Sequence, residues 1–292
     1  LKKIDGKIMS VDINALSAGF YASDKHQLVP SSSDPKFIPT LLKICKKENI
    51  RLLIPTRDDE LALFAKNKEK FENKGIKIMI SDQGAIRICN NKYKFYQFLT
   101  ENNFSTPETY LPNQIDLSSI HYPLIIKSNL GSGGKNIFKV KNESELNFFL
   151  NYVPDPIVQE FIDGKEYTID LFSDFDKNVL TVVPRERIET FCGESYKGRT
   201  VEDNEMIGIA KSLAEKLGTT GHITIQCIKN DRGMKFIEIN PRFGGGANLG
   251  FASGANTPVM LLKLLLGEEV KPSIGKYNKD LTMLRYTEDY II

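Results

Sequence analysis

The sequence predicts an α/β chain whose C-terminal part is α+β. Three observations carry this. Strand and helix patterns alternate over residues 1–89. Beyond Pro112, short strands flank a glycine loop instead of alternating with helices. A long amphipathic helix then leads into a hairpin and a second glycine-rich stretch.

Residues 7–12 read as a short buried strand. Asp34-Pro35 reads as a helix start, with Asp at the N-cap and Pro at the first helical position. Phe37, Ile38, Leu41, Leu42 and Cys45 then recur at helical spacing. A strand at 51–55, a helix at 60–71 and a strand at 76–80 complete an N-terminal unit that ends near Ile88. Alternation with short loops predicts a parallel sheet covered on both faces. Residues 91–102 read as a helix with Tyr93, Phe95, Tyr96, Phe98 and Leu99 apolar, and 103–112 as a connector. Strands at 123–127 and 136–140 flank the glycine loop. Asn142, with Glu145 three residues on, marks a capped helix.

Strands follow at 157–161, 166–173 and 179–187, the last two joined by a turn at 174–178. A helix over 202–217 is stopped by Gly218. Strands at 223–229 and 234–239 are joined by Asn230-Asp231-Arg232-Gly233, which has hairpin chemistry. A final helix spans 257–266.

A length of 292 residues exceeds one small core and suits two or three compact subdomains. Hydrophobic residues at 41% and charged residues at 26% exclude wholesale disorder. The net charge of +2 gives no field that would gather nucleic acid or a membrane surface. The four cysteines, Cys45, Cys89, Cys192 and Cys227, are scattered, as expected for reduced thiols in a cytoplasmic protein. Three separated histidines make a histidine-based zinc site a poor expectation. No apolar run has the ~20 residues that span a bilayer, and no signal peptide opens the chain. The first residue is Leu1 and a strand-like stretch follows at once, so a missing N-terminal segment is expected.

Glu238-Ile239-Asn240-Pro241-Arg242 is the most informative segment. Glu238 and Asn240 are two apart at a strand end, so both point to one face. A carboxylate and an amide oxygen there make a hard-oxygen site suited to magnesium. Gln226, on the partner strand of the hairpin, joins them if the strands pair in register. Arg242 follows, able to reach phosphate or carboxylate oxygens bidentately. In 122–135 a buried strand delivers Lys127, and a loop containing Gly131, Ser132, Gly133 and Gly134 follows. The loop precedes a strand, so it is a hairpin flap over phosphates and not a Walker A loop. In 158–168 a strand ends in a hinge and continues after Gly164. Backbone groups of such a hinge can read an adenine edge, and Glu166 can accept from ribose hydroxyls. Taken singly, each segment also reads as a plain strand end or turn.

Together, in this order, the segments resemble the ATP-grasp superfamily, nearest its carbamoyl-phosphate synthase large-chain-like branch. The resemblance covers the whole chain. It implies an N-terminal α/β pre-ATP-grasp domain at 1–89, and then the two-subdomain ATP-grasp fold. The subdomain at 90–180 would carry the flap and adenine hinge, and that at 181–292 the metal site. It implies ATP and magnesium (or manganese) as cofactors. Lys92 and Lys127 would contact phosphates, covered by Gly131 to Gly134. Glu160, Phe161 and Ile162 would hold adenine and Glu166 the ribose. Gln226, Glu238 and Asn240 would ligate metal, while Arg242 and Lys127 would be catalytic. Independently of the resemblance, Arg185, Arg187 and Arg199, which lie between the nucleotide motifs, read either as a clamp for a carboxylate or phosphate or as a solvated charged hairpin.

One ATP-using set is present where the full synthase has two. The expectation is therefore a stand-alone C–N ligase that activates a carboxylate for attack by an amine. It would act on small-molecule substrates, with a homodimer as one open assembly. The alternatives are a subunit or fragment of a carbamoyl-phosphate synthase, a non-catalytic ATP sensor, and a phosphotransferase with another acceptor.

Overall fold

The computed structural model describes residues 6–131, 134 and 136–292. The chain divides into two compact units. The first takes the described residues up to Leu53 with Asn67–Ile78 and Tyr286–Ile292; the second takes Ile54–Lys66 and Met79–Arg285. No helix among the described residues is long and apolar enough to cross a membrane.

In the first unit, β1 (Met9–Asp12) pairs in parallel with β2 (Lys25–Leu28). The expected parallel pairing is present, but full covering is not, since all four β2 residues are exposed and β1 is only half-buried. Helix α1 (Phe37–Lys47) buries Phe37, Ile38, Leu41, Ile44 and Cys45 along one stripe. It starts after the expected Asp34 cap. Asp34 instead heads a turn, accepting from Lys36 N at 2.7 Å through its side chain and from Phe37 N at 2.9 Å through its carbonyl. β3 (Leu52–Leu53) pairs in parallel with β4 (Lys77–Ile78), the two being separated in sequence by α2 (Asp58–Glu72). The parallel structure thus comes as two two-stranded pieces.

The second unit contains α3 (Gln83–Cys89), which the sequence did not suggest, and α4 (Lys92–Glu101), capped by the Asn91 side chain. A four-stranded antiparallel sheet follows, in the order β5 (Thr109–Tyr110), β8 (Pro156–Glu160), β6 (Leu124–Ser128), β7 (Ile137–Val140). β5 lies in the stretch read as connector. Helix α5 (Glu143–Tyr152) covers one face of this sheet around Leu124, Ile126, Val140, Leu146 and Val158. Its cap is reciprocal. Asn142 accepts from Glu145 N at 2.9 Å, and Glu145 accepts from Lys141 N at 2.8 Å.

The larger sheet is antiparallel, in the order β13 (Gly233–Asn240), β12 (Gly221–Asn230), β9 (Lys165–Ser173), β10 (Val179–Phe191), β11 (Glu194–Thr200), β14 (Thr282–Leu284). Its apolar face is covered by α6 (Asn204–Leu217), whose Met206, Ala210, Leu213 and Leu217 pack on Ile169, Leu171, Val182, Ile223 and Ile225, with α3 and α4 completing the core. Gly218 takes the left-handed conformation that stops α6, as expected. Helices α7 (Asn248–Ala252) and α8 (Thr257–Leu265) follow the sheet, α7 inside what read as a plain glycine-rich loop.

Residues 161–164 are not a hinge within one strand. They carry the chain from the four-stranded sheet into the six-stranded one. Gly164 makes this crossing tight. A Cβ there would lie 2.6 Å from the Lys229 carbonyl oxygen of β12 and 2.9 Å from Ile228. Gly164→Ala should therefore lower stability by ~1–3 kcal/mol through overpacking. Thermal unfolding checks this; a melting temperature equal to the parent's would show that the crossing has slack.

Candidate functional site

Alternation along the large sheet sends one set of side chains to the α6 core and the other to the opposite face. β13 needs a correction to stay in phase. Gln226 pairs with Glu238 but Cys227 with Phe236, so Ile237 is an extra, bulged residue. The bulge lets Phe236 and Ile239 both enter the core, while Glu238 and Asn240 turn to the other face. On that face Glu238, Gln226, Thr168 and Arg185 form one cross-strand row, and Asn240, Thr224 and Asp170 the next.

Gln226, Glu238 and Asn240 are half-buried, and among the described residues their side chains have no hydrogen bond or ion pair. Their oxygens are therefore uncommitted. Among the described residues no three His, Cys, Asp or Glu gather into a metal cluster. A cation here would have to recruit the two amide oxygens beside the Glu238 carboxylate. Hard-oxygen donors of this kind fit magnesium or manganese.

Opposite them, β6 delivers Lys127, only 6% exposed. Its Nζ donates to Gln159 Oε1 at 2.8 Å, and Gln159 Nε2 donates to Thr109 Oγ1 at 2.8 Å. Burial pushes the Lys127 pKa down to about 8; the Glu238 carboxylate opposes this shift and Lys92 adds to it. Lys92, the first residue of α4, donates from Nζ to Gly131 O at 2.7 Å, and its N–H donates to Asn129 O at 3.0 Å. Lys92, Lys127, Gly131, Gly134, Asn136 and Glu238 line a cavity of about 180 Å3. Ser132 and Gly133 lie outside the described residues.

At the sheet crossing, the Glu160 N–H is already donated to Glu108 O at 2.8 Å, and its carboxylate accepts from Lys235 Nζ at 2.6 Å. Phe161 and Ile162 make no backbone hydrogen bond among the described residues, and the Phe161 ring lies beneath Lys139 Nζ at 3.5 Å. Glu166 is paired with Arg187 Nε at 3.2 Å.

The three arginines read as a substrate clamp do not converge. Arg185 is 1% exposed and forked onto Asp170 at 2.6 and 2.9 Å. Burial alone would raise the Asp170 carboxyl, but Arg185 and His222 outweigh it and hold the pKa at about 2. Arg187 shares the face of Arg185 but is engaged by Glu166, Thr168 Oγ1 and Gly193 O. Arg199 pairs across from Glu186, so strand alternation sends it to the opposite face.

Arg242 has a partner that sequence reasoning missed. Its Nε donates to Asp58 Oδ1 at 2.6 Å and its Nη2 to Asp58 Oδ2 at 2.5 Å. Asp58 lies 184 residues earlier, in an acidic first turn that reads only as a helix start. Beyond Arg242, the loop backbone is held by Arg285, which donates to Gly245 O and to Glu194 Oε2.

Two antiparallel sheets thus bring a buried lysine and a carboxylate to one cavity, the arrangement of a grasping fold. The family model for the ATP-grasp domain matches residues 89–246, more than half of the 292-residue chain, and the chain belongs to that family. A PylC-like N-terminal domain model matches residues 1–79. The carbamoyl phosphate synthase arginine-specific large chain of Geobacillus stearothermophilus is 25% identical over 271 residues, 87% of this chain and 26% of that protein. The chain thus spans about a quarter of the curated relatives it first matches. Among solved structures, the biotin carboxylase domain of Hydrogenobacter thermophilus 2-oxoglutarate carboxylase, in complex with MgADP, ADP and bicarbonate, aligns with TM-score 0.76 at 16% identity. That alignment covers 96% of this chain and 69% of the other. The L-amino acid ligase of Bacillus licheniformis aligns with TM-score 0.71 at 18% identity, over 93% and 73% of the two chains. At such identities these structures share the fold.

Lys127 gives this site a pH signature in stability. Its pKa is about 8 when folded against 10.5 ordinarily, so between those values the unfolded chain holds a proton that the folded chain lacks. Stability therefore rises with pH through this window. From pH 7 to about pH 10.5, the parent should gain on Lys127→Met by up to ~3 kcal/mol in unfolding free energy. Denaturant melts of both proteins across this range check it; a difference that stays flat contradicts the buried charge.

Proposed function

We propose that this chain is an ATP- and magnesium-dependent ligase that activates a carboxylate as an acyl phosphate for attack by an amine. The carrying observation is the cross-strand placement of Gln226, Glu238 and Asn240, uncommitted, beside a cavity that also takes Lys127 and Lys92.

In this reading Gln226, Glu238 and Asn240 hold the metal ion, which when bound neutralises phosphate charge. Lys127 and Lys92 lie against the phosphates, with Gly131 and Gly134 beside them. Free backbone groups of Phe161 and Ile162 take the adenine edge, with Glu160 completing the wall. Glu166 accepts from the ribose hydroxyls. Burial keeps water from screening Lys127, so its charge acts at full strength on the transferring group.

The carboxylate oxygen attacks the terminal phosphorus, the bond to the bridging oxygen breaks, and ADP leaves with those electrons. Arg242 steadies charge on the phosphoryl oxygens. The amine nitrogen then attacks the acyl carbon, the carbon–oxygen bond to phosphate breaks, and the amine proton passes to solvent. Such phosphoryl transfer asks for positioning and charge, and no protein nucleophile is needed. Arg185 drops out of the substrate clamp because it is 1% exposed as well as forked onto Asp170. Arg187 remains the candidate on the cleft face.

Glu238→Gln should keep the fold, by circular dichroism and melting temperature, and lower ADP formation by ~100-fold or more. Undiminished turnover would sink the metal assignment. The second substrate is found by screening ADP release against pools of amino acids and small carboxylic acids. Tight ATP binding with no pool stimulating release would favour a nucleotide sensor.

A further inference from the structure

We infer that Asp58 is a positioning residue for Arg242, aiming its guanidinium at the terminal phosphate of the nucleotide. This rests on the reading of Arg242 given above. The side chains are 20% and 19% exposed, so the pair is largely shielded from water. A side-on fork from Nε and Nη2 to both oxygens of one carboxylate fixes the plane of the guanidinium as well as its place. Nη1 donates to Phe243 O at 3.0 Å. Two N–H groups remain, one on each terminal nitrogen, and with 19% of the side chain exposed they are what the fork leaves for an anion.

The geometry also places this fork where it can matter. Arg242 lies two residues beyond Asn240, at the end of the strand that carries Glu238. Its backbone N–H donates to Asn240 O at 2.9 Å, so the turn is closed immediately after the candidate metal ligands. Without the carboxylate, an arginine on such a turn has many rotamers, and pre-organisation of its donors is lost. An asparagine at position 58 keeps one acceptor oxygen, but its amide N–H groups face those of Arg242. It therefore breaks the fork while conserving volume.

The test measures the dissociation constants of MgADP and of magnesium β,γ-imido-ATP by calorimetry, using the full chain. Their ratio reports what the terminal phosphate adds to binding. The parent should bind the triphosphate analogue more tightly. Asp58→Asn should cut this ratio about tenfold, as for a charged hydrogen-bond partner lost, with MgADP affinity within about twofold of the parent. Arg242→Ala should cut it at least as far, and the double variant no further. Asp58→Glu, which keeps the fork and displaces it, should fall between parent and Asn.

A parental ratio in Asp58→Asn, or losses that multiply in the double variant, would overturn the inference while leaving the role of Arg242 standing. So would equal weakening of both nucleotides with a lowered melting temperature, the mark of a merely structural tie. A parental ratio in Arg242→Ala, or a parent that does not distinguish the two nucleotides, would instead overturn the underlying reading of Arg242, and the inference with it.

Discussion

The site depends on the phase of one β-strand. Phe236 and Glu238 are two residues apart, and strict alternation would put both on the same face. That would send either Phe236 to the cleft or Glu238 into the α6 core. The bulge at Ile237 resolves the conflict by inserting one residue between Cys227–Phe236 and Gln226–Glu238 pairing. An unpaired carboxylate in the core would cost several kcal/mol, and an exposed Phe236 would forfeit ~2 kcal/mol of burial. Both penalties favour the bulged register. The same register places Gln226 directly across from Glu238, so the hydrophobic core and the polar face are specified together.

The cleft is held at a cost to stability. Lys127 is buried with a neutral amide as its hydrogen-bond partner, and its pKa falls to about 8. A well-packed apolar residue would suit the fold better there, which is the usual sign of a group retained for what it binds. Arg185 shows the contrasting case. It is more deeply buried than Lys127, but Asp170 is forked onto it and held ionised, so its charge is compensated internally. Burial alone does not mark a functional cation; partner and remaining exposure decide together, and Arg242, forked onto Asp58 but 19% exposed, keeps N–H groups within reach of a ligand. By this criterion Lys127 remains available to a ligand and Arg185 does not.

Much of the two antiparallel sheets and their helices was legible in the sequence because the signals are local. Asn142 with Glu145, Gly218, and the turn from Asn230 to Gly233 each encode their own geometry within a few residues. The shared face of Glu238 and Asn240 follows from their spacing. What was not legible depends on contacts between distant segments. β11 is a strand because β10 offers it an edge, and β14 because β11 does, and nothing within them announces it. The Gly164 crossing looks like a hinge in one strand until pairing assigns its flanks to different sheets. The fate of Arg185, Arg187 and Arg199 turns on alternation and on Asp170 and Glu166, none of which a charge pattern contains. Asp58 is the extreme case, since its partner is fixed only by the folded chain.

The proposed metal site joins the uncommitted oxygens of Gln226, Glu238 and Asn240 and works with a nucleotide. Manganese(II) titrated into the chain with ADP present, followed by loss of the free-ion EPR signal, tests it most directly. A protein-bound manganese–ADP complex is expected in the parent, weakened at least about tenfold in Asn240→Leu. An Asn240→Leu chain that binds manganese and ADP as tightly as the parent would contradict it.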